Sequence, residues 1–177
     1  MGDAAEGGRV IPFHRRRRDG RVVASFAADE ARLLLSLADE AAELARAAAS
    51  PDGPQADPAL GRLLPDAYPD DPEASAEFRR FTAEGLADRK EHNARLMART
   101  LGEPTGRRTE VALDDAEASA WLRTITDLRL VLAARLGIHE DGDEGDIHDE
   151  ESAMQRAVYD WLAAVQEFLV LAVRPRR

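Results

Sequence analysis

The sequence contains no cysteine, which excludes disulfide bonds and thiolate chemistry within its 177 residues. It also lacks a long apolar run free of charges, and its first residues do not form the apolar core of a secretory signal peptide. Because these features are missing, we expect a cytoplasmic protein that crosses no membrane. Lysine occurs once, at Lys90, and all other Lys/Arg positions are arginine, a skew typical of a GC-rich genome.

Net positive charge is also missing. The formal net charge is −10 and the pI is near 4.9, which disfavours nonspecific binding to nucleic acid or to anionic lipid. Charged residues make up 33% of the chain and hydrophobic types 44%, a composition typical of globular helical proteins and not of disordered ones. A chain of 177 residues fits one domain with a sizeable core.

The pattern near the N-terminus predicts a β-hairpin over residues 10–26. Two short segments of strand-forming residues flank an Asp-Gly dipeptide, which is typical of tight hairpin turns. Pro12 would restrict the first strand to the edge of a sheet. Residues 1–8 are small and glycine-rich and are expected to be disordered, and residues 174–177 form a short basic tail.

Helical periodicity predicts four long helices, and we expect the third to lie at the centre of the core. Asp114 is its predicted N-cap, and Glu117 completes a capping box. Trp121 and Trp161 belong to the last two helices, whose apolar patterns predict that these helices pack against each other. The predicted bounds are about 28–49, 72–101, 114–136 and 152–173.

The second predicted helix is the least regular of the four. Its early turns are expected to bury Phe78 and Phe81, whereas its polar middle breaks the apolar stripe. A short alternating segment from Arg107 to Leu113 predicts a further strand before the third helix. Together these elements predict a mainly α, single-domain bundle of four long helices with a small β-hairpin or three-stranded sheet, over residues 9–173.

The loop of residues 139–151 is acidic, and its carboxylates and histidines suit a hard or borderline cation. An EF-hand requires glycine at the sixth loop position and glutamate at the twelfth, but counting from Asp141 these positions hold aspartate and serine. His139 and His148 are too far apart, on a loop that contains glycine, to form a preorganised site. The sequence favours a solvated acidic loop, with no metal ligand and no cofactor.

Four consecutive arginines, Arg15, Arg16, Arg17 and Arg18, lie at the predicted hairpin. Such a run could neutralise several phosphates of a nucleic acid. However, no basic recognition helix follows it, the whole protein repels polyanions, and edge strands also use charge to block aggregation. We favour a solvated edge or a docking strip for an acidic protein, with nucleic-acid binding as the alternative.

The polar middle of the second helix is a candidate pocket. His92 falls on the same helical face as Phe81 and Leu96, which would place it, with Arg89, at the mouth of a cleft. Histidine titrates near neutral pH, but a lone histidine on a helix is more often a surface or capping residue than a catalyst. No Ser-His-Asp arrangement can be assembled from the spacing, so we expect no enzymatic activity.

The segment Leu63 to Asp71 (LLPDAYPDD) is a rigid connector with two prolines flanking Tyr68. Aromatic residues are enriched at interface hot spots, so Leu64 and Tyr68 are candidates for contacts with a partner. In the alternative, the leucines and Tyr68 pack inward and lock the connection between helices. The sequence favours this second interpretation.

The chain resembles an actinobacterial family classed as a domain of unknown function, through the segments RLLPDAYPDDPEASAEFRRFT, AWLRTITDLRLVLAARLGI and AVYDWLAAVQEFLV. The resemblance covers nearly the whole chain. Genes of that family commonly neighbour the gene of ClpS, the adaptor that delivers N-degron substrates to the Clp protease, and some members are labelled transcriptional regulators. The resemblance implies ClpS or the Clp machinery as a partner, and it transfers no catalytic or cofactor-binding residue.

The leading hypothesis is a cytoplasmic, non-enzymatic protein that acts through protein–protein contacts, with a link to regulated proteolysis. The first alternative is a nucleic-acid-binding transcriptional regulator that uses the Arg-rich hairpin. The second is a ligand-binding or enzymatic helical bundle with a polar pocket near Arg89 and His92. The two tryptophan helices are also compatible with a homodimer, unless their apolar stripes are used up inside one subunit.

Overall fold

The computed structural model describes residues 11–50, 52–68, 70–140 and 142–174. The segment 1–8, predicted to be disordered, lies outside these ranges, and so do all residues of the predicted basic tail except Arg174. Of the helices in the described ranges, none is long and apolar enough to span a membrane.

Three antiparallel strands form one sheet in the order β1-β2-β3, and they span Ile11–Arg15 (β1), Val22–Ala27 (β2) and Arg108–Leu113 (β3). Gly20 lies in the turn between β1 and β2 with a φ of 71°, a left-handed conformation that glycine adopts without a steric penalty. The register of β1 on β2 shifts between Ile11 and His14, next to Pro12, which has no N–H to donate. The predicted hairpin and third strand are therefore confirmed.

The protein is mainly helical, and its α-helices are Ala28–Ala49 (α1), Gly53–Ala56 (α2), Pro72–Leu101 (α3), Asp115–Arg135 (α4) and Glu150–Val173 (α5). Four of them correspond to the four predicted helices. The single turn α2 and a short 3-10 helix, Pro58–Arg62, lie between α1 and α3. A Cβ atom at Gly53 would lie 2.0 Å from the carbonyl oxygen of Ala47, so only glycine permits this close approach.

The predicted start of α4 is confirmed in detail. The carboxylate of Asp114 accepts a hydrogen bond from the backbone N–H of Glu117 at 2.8 Å, and the carboxylate of Glu117 accepts one from the N–H of Asp114 at 2.8 Å. At the other end, Gly137 has a φ of 65°, and the N–H of Ile138 donates to the carbonyl of Ala133 at 2.8 Å. Both ends of α4 are therefore set by local sequence.

Trp121 on α4 is fully buried at the centre of the main core. Its ring lies edge-on to Phe13 of β1 at a centroid distance of 5.8 Å and stacks on Phe26 of β2 at 6.0 Å. Its indole N–H donates to the hydroxyl of Thr100 on α3 at 2.7 Å. One side chain thus joins α4 to the sheet and to α3, as expected for the central helix.

Helices α3 and α4 run antiparallel along each other. Thr100, near the end of α3, bonds to Trp121 in the first half of α4, whereas Lys90 on the preceding turns of α3 pairs with Asp127, further along α4, at 2.6 Å. By continuation, the beginning of α3 lies next to the end of α4. This arrangement decides which surface residues lie at the same end of the protein.

The prediction that α3 buries Phe78 and Phe81 is wrong. These side chains are 41% and 77% exposed, respectively. Helix α3 packs against α1 through small residues instead, and α1 presents a row of alanines to the core. Because alanine side chains let two helices approach closely, bulky aromatic residues do not fit this contact. The buried residues of α3 are Ser75, Ala83, Ala87, Ala94, Met97 and Leu101.

Candidate functional site

Three aromatic side chains are exposed together where the connector meets α3. Tyr68 is 50% exposed, Phe78 41% and Phe81 77%. The rings of Tyr68 and Phe78 meet edge to face, with centroids 6.0 Å apart and an interplanar angle of 88°. Phe81 follows three residues after Phe78, which places it on the adjacent helical turn. We call Tyr68, Phe78 and Phe81 the aromatic surface.

Hydrogen bonds at the start of α3 hold Tyr68 in place. The buried hydroxyl of Ser75 donates to the carbonyl of Tyr68 at 2.7 Å and accepts from the N–H of Tyr68 at 3.1 Å. The N–H of Asp71 also donates to the carbonyl of Tyr68, at 3.0 Å, while the carboxylate of Asp71 caps α3 by accepting from the N–H of Ala74. The aromatic surface therefore stands on an ordered backbone, which lowers the entropy lost on binding a partner.

Arginines border the aromatic surface. The guanidinium of Arg80 lies over the ring of Phe81, 6.0 Å from its centroid, and Arg79 pairs with Asp66 on the connector. Tyrosine and arginine are both enriched at protein–protein hot spots, and a rim of charge around an apolar centre is typical of such interfaces.

Leu64 does not belong to this surface. Leu63 and Leu64 are only 4% and 5% exposed, because the 3-10 helix before them turns both side chains inward. They form a second apolar cluster with Leu60, Ala87 and Val131. The candidate contact role of Leu64 is therefore corrected to a packing role. For Tyr68, the predicted alternative of inward packing is wrong, since half of its side chain is exposed.

Only one of the two residues of the predicted polar pocket lines a groove. Arg89 lines a groove of about 390 Å³ between α3 and α4, together with Lys90, Asn93 and Asp127. His92 is exposed and does not line this groove. It lies instead on the outer face of α3, roughly 16 Å beyond Phe81 by the helical rise. The structure therefore places Arg89, but not His92, at a groove.

The acid in this groove is held by an ion pair. The carboxylate of Asp127 lies 2.6 Å from the ammonium of Lys90, and the two side chains are 14% and 24% exposed. Burial raises the pKa of Asp127 above its usual value, and the hydrogen bond and charge of Lys90 act in the opposite direction. Because Lys90 belongs to α3 and Asp127 to α4, we interpret this ion pair as a structural contact between the two helices.

The Arg-rich hairpin is largely occupied by contacts within the chain. Arg15 pairs with Asp115 at 2.9 Å and also donates to the carbonyl of Gly20 at 2.7 Å. Arg16 pairs with Asp19, whose pKa falls to about 2 because of hydrogen bonds from the Arg16 side chain. Acidic side chains thus neutralise part of the charge that a nucleic acid would need.

The other two arginines of the run are more accessible. The Nε of Arg18 lies 3.8 Å from Asp19, with 76% of the Arg18 side chain exposed, and Arg17 is exposed with no ion pair to any described residue. The hairpin sits beside Asp115, at the start of α4, whereas the aromatic surface lies near the end of α4. Since α4 has 21 residues, about 30 Å of helix separates the two candidate surfaces.

The acidic loop is organised by the protein's own groups. The carboxylate of Asp143 accepts from the N–H groups of His139 and Glu140 at 2.8 and 2.9 Å, and these bonds lower its pKa. Arg156 on α5 donates to the carbonyls of Asp143 and Glu144. Among the described residues, no three His, Asp or Glu side chains are grouped so that they could hold a metal ion. Asp141, a candidate ligand, lies outside the described residues.

Sequence reasoning named Tyr68 as a candidate contact residue but favoured its inward packing, and it did not recognise Phe78 and Phe81 as surface residues. A signal was available, because charged residues surround both: Glu77, Arg79, Arg80 and Glu84 lie within three residues of one or the other. Such density of charge is typical of a solvent-facing helix segment.

Comparison with known proteins places the chain in a family. Residues 10–173 match the family model described as Domain of unknown function (DUF2017). A Mycobacterium leprae protein named "Putative oxidative stress regulator AosR" is 35% identical over 130 residues, which cover 66% of this chain and 58% of that protein. A Mycobacterium tuberculosis protein named "Oxidative stress regulator AosR" is 32% identical over 134 residues, which cover 68% of this chain and 60% of that protein.

The alignment thus spans less than two thirds of the length of either mycobacterial relative. No solved structure matches the chain at a significant level. The predicted resemblance to an actinobacterial family of unknown function is confirmed by the family match and by the mycobacterial relatives. The chain belongs to the DUF2017 family, and the matched region contains every strand and helix described above.

Proposed function

We propose that this chain is a non-enzymatic regulatory protein that acts by binding another protein, and that the aromatic surface is its contact site. The observation that carries this proposal is the joint exposure of Tyr68, Phe78 and Phe81 on an ordered backbone. Exposed clusters of large apolar side chains are typical of interaction sites in soluble proteins. The arginine rim adds the polar border expected of a protein interface.

The regulatory part of the proposal is supported by the relatives named as oxidative stress regulators. Thiols are common sensors of oxidants, because a thiolate is oxidised reversibly. The 177 residues of this chain contain no cysteine, so no thiol switch operates within them. The proposed contact with another protein would carry a regulatory signal without requiring a thiol.

The finer proposal is a cytoplasmic role in regulated proteolysis, with ClpS or another component of the Clp machinery as the partner. It is supported by the resemblance to a family whose genes commonly neighbour that of ClpS.

A pull-down from the native host tests the proposal. The tagged protein, its Phe81→Ser variant and a Leu33→Ser control would be compared, with and without nuclease, by mass spectrometry. Leu33 is a suitable control because it is an exposed leucine, 37% accessible, on a different helix. We expect a near-stoichiometric protein that resists nuclease, is retained by the Leu33 variant and is lost by the Phe81 variant. Capture that does not depend on Phe81 would contradict the proposed site.

The alternative is a nucleic-acid-binding regulator, and the exposed side chains of Arg17 and Arg18 are the observation in its favour. Under this alternative, nuclease treatment removes the proteins captured in the pull-down, and the affinity of the chain for a nucleic-acid duplex falls steeply as the salt concentration rises. Replacing Arg17 and Arg18 by serine would then weaken binding and reduce the salt dependence. The net charge of −10 and the internal pairing of Arg15 and Arg16 make this the weaker candidate.

A further inference from the structure

Helix α5 carries two neighbouring apolar faces, and only one of them is buried in the core along its whole length. The inner face packs against α4 and β1, and its members recur every three or four residues: Val158, Leu162, Val165, Leu169 and Ala172. On this side, Arg129 of α4 lies over the ring of Tyr159 at 4.7 Å and donates to Gln166 at 2.7 Å. The inner face is therefore fully committed to the core.

The second face is a row of apolar residues about 100° around the helix from the inner face, and it is mostly exposed although Trp161 also packs against the core. We call it the outer stripe, and it consists of Met154, Ala157, Trp161, Ala164, Phe168 and Leu171. Met154 is 64% exposed, Phe168 36% and Leu171 55%, while both alanines are exposed and Trp161 is half-buried. The spacing alternates strictly between three and four residues, which is the a/d pattern of a coiled-coil seam.

We propose that two copies of this chain form an antiparallel homodimer through their outer stripes. The alternation of large and small side chains along the outer stripe favours a second copy of this chain as the partner. In an antiparallel pair centred between Trp161 and Ala164, each Trp161 faces Ala164 of the second copy, and each Phe168 faces Ala157. Met154 then faces Leu171. Large residues meet small ones in every central layer, which is how well-packed helix interfaces fill space.

A parallel pair of the same stripes packs poorly. It would place Trp161 on Trp161 and Phe168 on Phe168, and it would leave the alanine layers between them underfilled. The size pattern thus selects the antiparallel orientation.

One flank of the seam opposes the pairing. Asp160 and Glu167 lie beside the outer stripe, and the antiparallel register sets Asp160 of one copy near Glu167 of the other. Asp160 is already paired with Arg156 at 3.0 Å, which weakens the repulsion. Glu167 has no such partner among the described residues. A change of its charge therefore offers a direct test of the register.

Sedimentation velocity of the full chain over a wide range of concentration measures the dimer. We expect Ala164→Arg to raise the dissociation constant at least tenfold, since it places a charge in the central layer. Val170→Arg is the matched control, because Val170 is 38% exposed on α5 but lies about 100° away from the outer stripe. We expect Glu167→Lys to tighten the dimer at low salt, with the gain lost at high salt. Circular dichroism checks that each variant is folded.

Disulfide trapping tests the antiparallel orientation of the two helices. Because the sequence contains no cysteine, only the introduced cysteines can form a disulfide. The double variant Met154→Cys/Leu171→Cys should form a covalent dimer under mild oxidation, because the antiparallel register sets these two exposed positions opposite each other. Its two cysteines lie about 26 Å apart along one helix and cannot bridge within a chain. Each single variant should stay uncrosslinked, because in an antiparallel pair its cysteine faces no second cysteine.

Three results would overturn the proposal. The first is a wild-type chain that stays monomeric at every concentration, and the second is a dimer that Ala164→Arg leaves intact. The third is crosslinking by the single cysteine variants, which would show a parallel pair. None of these outcomes depends on the aromatic surface, so failure here leaves the proposed function standing.

Discussion

The two tryptophans of this chain have the same apolar pattern in sequence but different surroundings in the fold. Trp121 has no exposed surface and makes ring contacts with Phe13 and Phe26, whereas Trp161 packs against the core with one side and leaves the other to solvent. The difference arises because α4 has neighbours on several sides and α5 on fewer. Burial of a single residue thus depends on how many elements surround its helix.

Two glycines provide a residue-scale prediction with an internal control. Gly53→Ala should lower the free energy of unfolding by about 1–3 kcal/mol, because the new Cβ would lie 2.0 Å from the backbone oxygen of Ala47. Gly85→Ala should raise it by about 1 kcal/mol, because Gly85 is in the middle of α3 with open space where the Cβ would be. Urea denaturation of both variants measures the difference. Equal effects of the two substitutions would contradict these environments.

At the scale of elements, α3 shows how a helix can be buried without bulky residues. Its inner face consists mainly of small side chains against the alanines of α1, so its phenylalanines lie on the outer face. Helix α5 shows the complementary case, in which one helix has enough apolar residues for two faces. Both cases follow from the number of contacts that each helix makes, which a single sequence does not report.

The ion pair between α3 and α4 leads to a prediction about pH. Burial raises the pKa of Asp127 in the folded protein above its value in the unfolded chain. The titration of Asp127 therefore stabilises the fold most at a pH below the unfolded pKa, and this contribution is lost as the pH rises through the folded pKa. Lys90→Met removes the opposing charge and leaves the carboxylate without its partner. We expect a loss of about 1–3 kcal/mol near neutral pH, discounted for the partial exposure of the pair.

The loss should become smaller at acidic pH, where Asp127 of the variant takes up a proton. Urea denaturation at both pH values measures it, with Lys90→Arg as the control that keeps the charge. An equal loss at the two pH values would show that the Lys90 side chain acts through packing rather than through its charge.

At the scale of the whole molecule, the candidate surfaces lie on different elements. The aromatic surface belongs to the connector and α3, the Arg-rich hairpin to the sheet beside the start of α4, and the outer stripe to α5. The antiparallel course of α3 and α4 separates the aromatic surface from the hairpin. The protein thus has room for a partner and for a second copy at the same time.

This separation predicts that the two proposed contacts are independent. Phe81→Ser should abolish capture of the partner and leave the dissociation constant of the dimer unchanged, whereas Ala164→Arg should do the reverse. Sedimentation and pull-down on both variants check this. If either substitution affected both readouts, the partner and the second copy would share a surface, and the assignment of separate sites would be wrong.

Much of the fold follows from local sequence. The Asp-Gly turn predicts the hairpin, the Asp114 and Glu117 capping box predicts the start of α4, and helical periodicity predicts the four main helices. These features are local because each depends on residues within one or two turns of chain. The sequence also offered Tyr68 as a candidate, since prolines on both sides of an aromatic residue indicate a rigid connector, but it favoured inward packing of this side chain.

The tertiary structure decided which apolar residues lie inside. It buried Leu64, exposed Phe78 and Phe81, placed Arg89 but not His92 at a groove, and left most of the outer stripe of α5 exposed. The physical reason is that burial depends on neighbours from distant parts of the chain, and apolar character alone does not determine which of two apolar faces meets them. The sequence by itself determined where the helices and strands form and that the chain has no cysteine, and the packing of those elements decided which side chains remain available for binding.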